Sequence, residues 1–161
     1  MHRFFFSTKD TFINSGSNIL DGETFLDKNV GQDEILELKK VFYNRTFRNP
    51  TRVLIKFDAD EIENFISSSN IGSTSYSASL RLYETKGTSG LSETYKIAAY
   101  PISQSWDEGI GKESDRPKTT EGASWKYRKN RDGASELSWQ TAGVKYIAGD
   151  EVTQSFSSES P

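Results

Sequence analysis

The sequence has no cysteine and a single histidine, His2, which stands beside the initiator methionine. Without cysteine there is no disulfide scaffold, no thiolate metal site and no thiol nucleophile. One terminal imidazole leaves neither a Ser/His/Asp arrangement nor a multi-histidine metal site to assemble. A basic surplus is missing too. Twenty Lys and Arg stand against 23 Asp and Glu, for a net charge of −3, whereas proteins that grip nucleic acid usually carry an excess or a stripe of positive charge. Nucleic acid is therefore not an expected partner. Long apolar runs are also absent. Arg3 and the three phenylalanines Phe4, Phe5 and Phe6 begin like a signal peptide, but Lys9 and Asp10 cut the run short. No segment approaches the roughly 20 apolar residues of a transmembrane helix. The expectation is a soluble protein with no signal peptide and no membrane partner.

Aromatic residues, by contrast, are plentiful: ten Phe, seven Tyr and three Trp make up 12% of the chain. Disordered chains are poor in such residues, so a mean hydropathy of −0.68 does not prevent an aromatic-rich core. The 161 residues suit one domain across residues 1–161.

Short apolar or alternating runs separated by turn residues dominate the chain. Residues 4–7, 11–13 and 35–39 read as strands, and residues 52–57 read as the strongest core strand because their apolar character is nearly continuous. Residues 58–67 are the one helix expected, with Asp60 as its cap and Ile62, Phe65 and Ile66 on a shared face. Ala78, Leu80 and Leu82 fall on one face of an alternating run, 78–84. A turn at 87–92 would join that run to a strand at 94–100 in a hairpin. Beyond residue 102 the pattern loosens, with a short strand expected at 123–127 and an alternating run at 152–156. Many short strands, long loops and one helix predict an all-β fold, a β-sandwich or jelly roll.

Little chemistry is available. Asp33 with Glu34, Asp58 with Asp60, and Asp107 with Glu108 supply paired carboxylates of the type a glycosidase needs. However, neighbours along a strand point to opposite faces, so the solvated reading is the better one. No catalytic residue and no resident cofactor are expected, and the protein is not expected to be an enzyme. Calcium is the one metal to weigh, since residues 14–21 and 58–63 are rich in oxygen donors, although neither matches an EF-hand loop. Gly109-Ile110-Gly111 and the glycines at 87 and 90 lack the spacing and context of a phosphate loop. Trp106, Trp125, Tyr127 and Trp139 remain as candidate contacts for a glycan or a protein partner, because flat aromatic faces serve both. Against this stands the plainer role of filling the edge of the core.

Several segments, taken in order, resemble a known family. These are Lys9-Asp10-Thr11-Phe12-Ile13, the stretch from Gly31 through Asp33 to Leu38, and Arg52-Val53-Leu54-Ile55-Lys56-Phe57-Asp58. The alternating 78–83 run, Trp106-Asp107-Glu108-Gly109, Gly122-Ala123-Ser124-Trp125 and Trp139 complete the series. The chain is similar to the DNRLRE-type β-sandwich, whose members show an arginine-led strand ending in F-D, an A-x-L-x-L-Y strand, a W-x-E-G turn and a later G-x-x-W. In cellular proteins such domains are carbohydrate-binding or adhesive modules.

The resemblance extends more closely to structural proteins of tailed, notably marine, phage virions. It implies a non-enzymatic virion component of the tail, baseplate, fibre or neck. Other virion proteins or further copies of the chain would be its partners, and recognition of a host surface glycan is the alternative function. The family pattern runs on through closing strands that are absent before Pro161. This predicts either a truncated sequence, the favoured expectation, or strands supplied by another chain.

Overall fold

A computed structural model describes residues 2–17, 22–72, 75–85, 94–131, 135–149 and 152–157. Among the described residues strand outweighs helix, 27% to 8%, and there is one short helix, so the fold is all-β. The strands of the described residues pair two by two into four antiparallel ladders.

The central ladder joins β1 (Ser7–Asn14) to β4 (Thr51–Phe57). Asn14 lies opposite Thr51 and Ser7 opposite Phe57, with a register shift between Ser7 and Lys9. The two apolar runs near the start have different fates. Phe4 and Phe6 stay exposed, whereas Thr11, Phe12, Ile13 and Asn14 are buried in succession. Consecutive burial in a strand means that both faces are covered. Ile13 and Leu54 thereby enter one cluster with Trp106, Ala123, Trp139 and Val144, against which Ile102 and Trp125 pack. Burying each large side chain contributes on the order of 2 kcal/mol.

The strand expected at 35–39 is not formed. Thr51 holds this segment instead: its hydroxyl donates to the Glu37 carbonyl at 2.7 Å and accepts from the Lys39 amide at 2.7 Å. Satisfied by one side chain, the segment makes no ladder, and Ile35 and Leu38 remain exposed. Directly after it the chain forms a hairpin that the sequence reading missed. β2 (Val41–Tyr43) pairs with β3 (Thr46–Arg48), and the two turn residues Asn44 and Arg45 take φ of 49° and 61°. Two consecutive positive φ values are the signature of the tight turn that suits strand twist.

The helix α1 (Ala59–Ser68) falls where it was expected, but its cap is Asp58, whose carboxylate accepts from the amides of Asp60 and Glu61. Asp60 sits in the first turn, where its charge favours the helix dipole. No residue of α1 is fully buried. Its apolar side reaches Phe5, which meets Phe65 edge-on at 5.8 Å, while Arg3 pairs with Glu61 at 2.9 Å.

The hairpin expected between 78–84 and 94–100 does not form. Residues 78–84 make no ladder and are exposed, while β5 (Thr94–Ala99) pairs with β8 (Val152–Ser157), the alternating run near the end of the chain. Period-two patterning decides which face of a strand turns inward but not which strand lies beside it. The turn expected at 87–92 lies outside the described residues. The strand expected at 123–127 begins only at Tyr127, because Ser124 closes a turn: its amide donates to the Tyr127 carbonyl and its hydroxyl accepts from the Tyr127 amide. From there β6 (Tyr127–Lys129) pairs with β7 (Leu137–Ser138). Among the described residues, no helix is long and apolar enough to cross a membrane.

Candidate functional site

The W-x-E-G turn and the G-x-x-W segment meet over one buried side chain, Asn29. Its Nδ2 donates to the carbonyls of Glu108 at 2.7 Å and Ala123 at 2.8 Å, while its Oδ1 accepts from the amides of Gly31 and Gly111. All four bonds reach backbone groups, so a single amide fastens three loops. The Asn29 amide itself donates to the Thr119 carbonyl. Such close approach explains two of the glycines. Gly109 and Gly122 have φ of 86° and 111°, and a Cβ added to Gly122 would lie 2.4 Å from the Gly109 Cα.

This junction floors a shallow cleft of about 270 Å³ lined by Lys9, Asp107, Glu108, Glu121, Asn130 and Arg131, among others. Two of its three carboxylates are already engaged. Glu108 accepts from the Asp10 amide at 2.8 Å, fastening β1 to the turn, and Asp107 pairs with Lys129 at 3.2 Å. Alongside, Asp115 accepts from the Thr119 hydroxyl at 2.6 Å and from the Lys112 amide at 2.8 Å. These two hydrogen bonds, the hydroxyl's first, hold the Asp115 carboxyl below its usual range. The Asp58 carboxylate, at the second of the oxygen-rich stretches, is occupied by helix capping; part of the first stretch lies outside the described residues. Among the described residues, no three metal-ligating side chains of the Asp, Glu, His or Cys type converge.

The four aromatic residues selected from the sequence do not make a flat exposed platform. Trp106, Trp139 and Tyr127 are buried, at 6%, 5% and 7% exposure. The Trp139 indole N–H donates to the Ser124 carbonyl at 2.8 Å. Trp125 is half-buried: the Arg52 guanidinium stands 5.1 Å from its ring, and the Gly143 backbone lies hard against it. Arg52 is fixed there by the carbonyls of Gly143 and Val144. All four lie in or against the core. They fill and close the core, the plainer role weighed for them above.

The exposed aromatic surface lies elsewhere. On the β2–β3 hairpin, Phe42 and Phe47 are 64% and 70% exposed and meet with their rings tilted at 53° and 5.0 Å apart, beside an exposed Tyr43. Phe4, Phe6, Leu80, Leu82 and Tyr83 are exposed as well, with the Arg81 guanidinium 5.6 Å from the Phe4 ring. The hairpin was legible in principle, since Val41-Phe42-Tyr43 and Thr46-Phe47-Arg48 flank two residues beginning with Asn. The missing signal was a glycine in second place.

The chain matches no family model, no curated protein and no solved structure.

Proposed function

We propose that this chain is a non-enzymatic structural component of a tailed-phage virion, in the tail, baseplate, fibre or neck, and that it acts through protein–protein contact. The observation that carries the reading is the inversion of its aromatic residues: Trp106 and Trp139 are inside and Trp125 is half-buried, while Phe42, Tyr43, Phe47, Phe6 and Tyr83 are outside. Exposed apolar groups gathered in patches mark contact surfaces, and aromatic anchors contribute most to protein interfaces. The resemblance of the 9–13, 31–38, 52–58, 106–109 and 122–125 segments to DNRLRE-type sandwiches of virion proteins supplies the setting. Asn29 and its glycine junction tie three of those segments, 31–38, 106–109 and 122–125, together.

Glycan recognition, the alternative reading, is less favoured because three of its four named residues face the core. Mass spectrometry of gradient-purified particles tests the proposal. Peptides of this chain in stoichiometric amounts support it, and their absence from particles overturns it.

A further inference from the structure

Two surfaces at opposite ends of β4 complement each other in charge. Between residues 38 and 48 the chain has four basic residues, Lys39, Lys40, Arg45 and Arg48, and no acidic one. Lys39 pairs with Glu37, whereas no carboxylate among the described residues pairs with Lys40, Arg45 or Arg48. These charges share the hairpin with the exposed Phe42–Phe47 pair, with Arg48 over the Tyr43 ring at 5.9 Å. At the other end, α1 and its cap present Asp58, Asp60, Glu61 and Glu63, all exposed, with no basic residue in the last turn. Of these, Glu61 pairs with Arg3 and Asp58 caps the helix, which leaves Asp60 and Glu63 as the outward charges, while Ile62, Phe65 and Ile66 are partly buried, Phe65 against Phe5.

One molecule does not close this contact on itself. The base of the hairpin is tied to Thr51 at the start of β4, through the Lys39 carbonyl and amide, while α1 begins just after Phe57 at its end. Seven extended residues span about 20 Å, and no element contact joins α1 to β2 or β3. We infer that the basic aromatic hairpin of one copy docks on the acidic α1 face of a second copy. This contact rests on the reading of the chain as an assembly component. Arg45 and Arg48 set against Asp60 and Glu63, with Phe42 and Phe47 withdrawn from water at the same time, would combine the charge complementarity and the aromatic burial of a specific interface. Because donor and acceptor patches differ, such contacts propagate from copy to copy and close into rings or continue as filaments.

The test is sedimentation of the full chain over a range of concentrations, with two charge-reversed variants. Arg45→Glu/Arg48→Glu and Asp60→Lys/Glu63→Lys each weaken self-association on the order of a hundredfold, because like charges then face each other. An equal mixture of the two restores association, since the reversed hairpin meets the reversed helix. High salt weakens the wild-type contact, and circular dichroism shows that both variants keep the native fold.

A wild-type chain that stays monomeric at every concentration overturns the inference, as do variants that associate like wild type or a folded mixture that does not recover. Capture of the wild-type hairpin by anionic vesicles, without self-association, also overturns it in favour of a lipid surface. Particle mass spectrometry separates the two claims. A chain found in particles yet monomeric in solution refutes this contact alone, and a self-associating chain missing from particles refutes the virion reading alone.

Discussion

The amide of Gly111 donates to the side-chain oxygen of Asn29 at 2.9 Å, across 82 residues of sequence. With the bonds to Gly31, Glu108 and Ala123, it makes Asn29 the fastening of the W-x-E-G and G-x-x-W segments. Truncation to Asn29→Ala strands two buried carbonyls and two buried amides. At about 1–3 kcal/mol for each group left without a partner, less what water recovers, the expected loss is about 3–5 kcal/mol. Urea denaturation measures it. Asn29→Asp does not rescue the fold, because a carboxylate cannot donate to the carbonyls of Glu108 and Ala123. A loss under about 1 kcal/mol for Asn29→Ala contradicts this role.

Gly122→Ala is the complementary test. Its φ of 111° is unfavourable for an L side chain, and the added methyl would sit 2.4 Å from the Gly109 Cα, where only backbone could yield. Strain and clash together should cost at least about 2 kcal/mol in the same denaturation assay. Gly22→Ala separates the two effects, because Gly22 also has a positive φ, 73°, but has no atom within 4 Å of the added methyl. It should cost less.

Acid sensitivity has a local source at Asp115. The Thr119 hydroxyl and the Lys112 amide favour its ionised form, so its folded pKa is below its unfolded one. Its stabilising contribution is complete above the unfolded value, near pH 4, and disappears as pH falls through the lower folded value. Asp115→Asn and Thr119→Val should therefore each reduce stability at pH 7, and the gap from wild type should narrow below about pH 4. A gap that is constant across that window contradicts the assignment.

Tryptophan fluorescence distinguishes a glycan platform from a core role. Trp106 and Trp139 are buried and Trp125 is roofed by Arg52. Acrylamide should quench the native protein only weakly, and titration with oligosaccharides should leave the spectrum unchanged. Arg52→Met should open Trp125 to quenching while the other two stay protected. Strong quenching of all three in the native protein would revive the glycan alternative.

Much of the fold was legible because local signals and tertiary packing agreed. The apolar run 52–57 became β4, the Asp-capped amphipathic stretch became α1, and the alternating run 152–156 lies in β8. Partner choice was not legible. The 78–84 run alternates as well as any strand, yet β5 pairs with β8, since alternation is blind to neighbours. At 35–39, one threonine hydroxyl took the hydrogen bonds a ladder would have used. How the candidate aromatic residues face was not legible, for a different reason. Composition shows that tryptophan is present but not which way it faces, and Trp139 turns inward to give its N–H to Ser124. Asn29 gave no signal, because a buried amide that satisfies four backbone groups looks in sequence like any loop asparagine.

The central claim, function through contact made by the exposed aromatic surface, is tested most directly by cryo-electron microscopy of the assembled particle. The account predicts that Phe42, Tyr43 and Phe47 of each copy are covered by protein in an interface of more than about 1,000 Å². A particle in which the chain is present but its β2–β3 hairpin projects into solvent would contradict it.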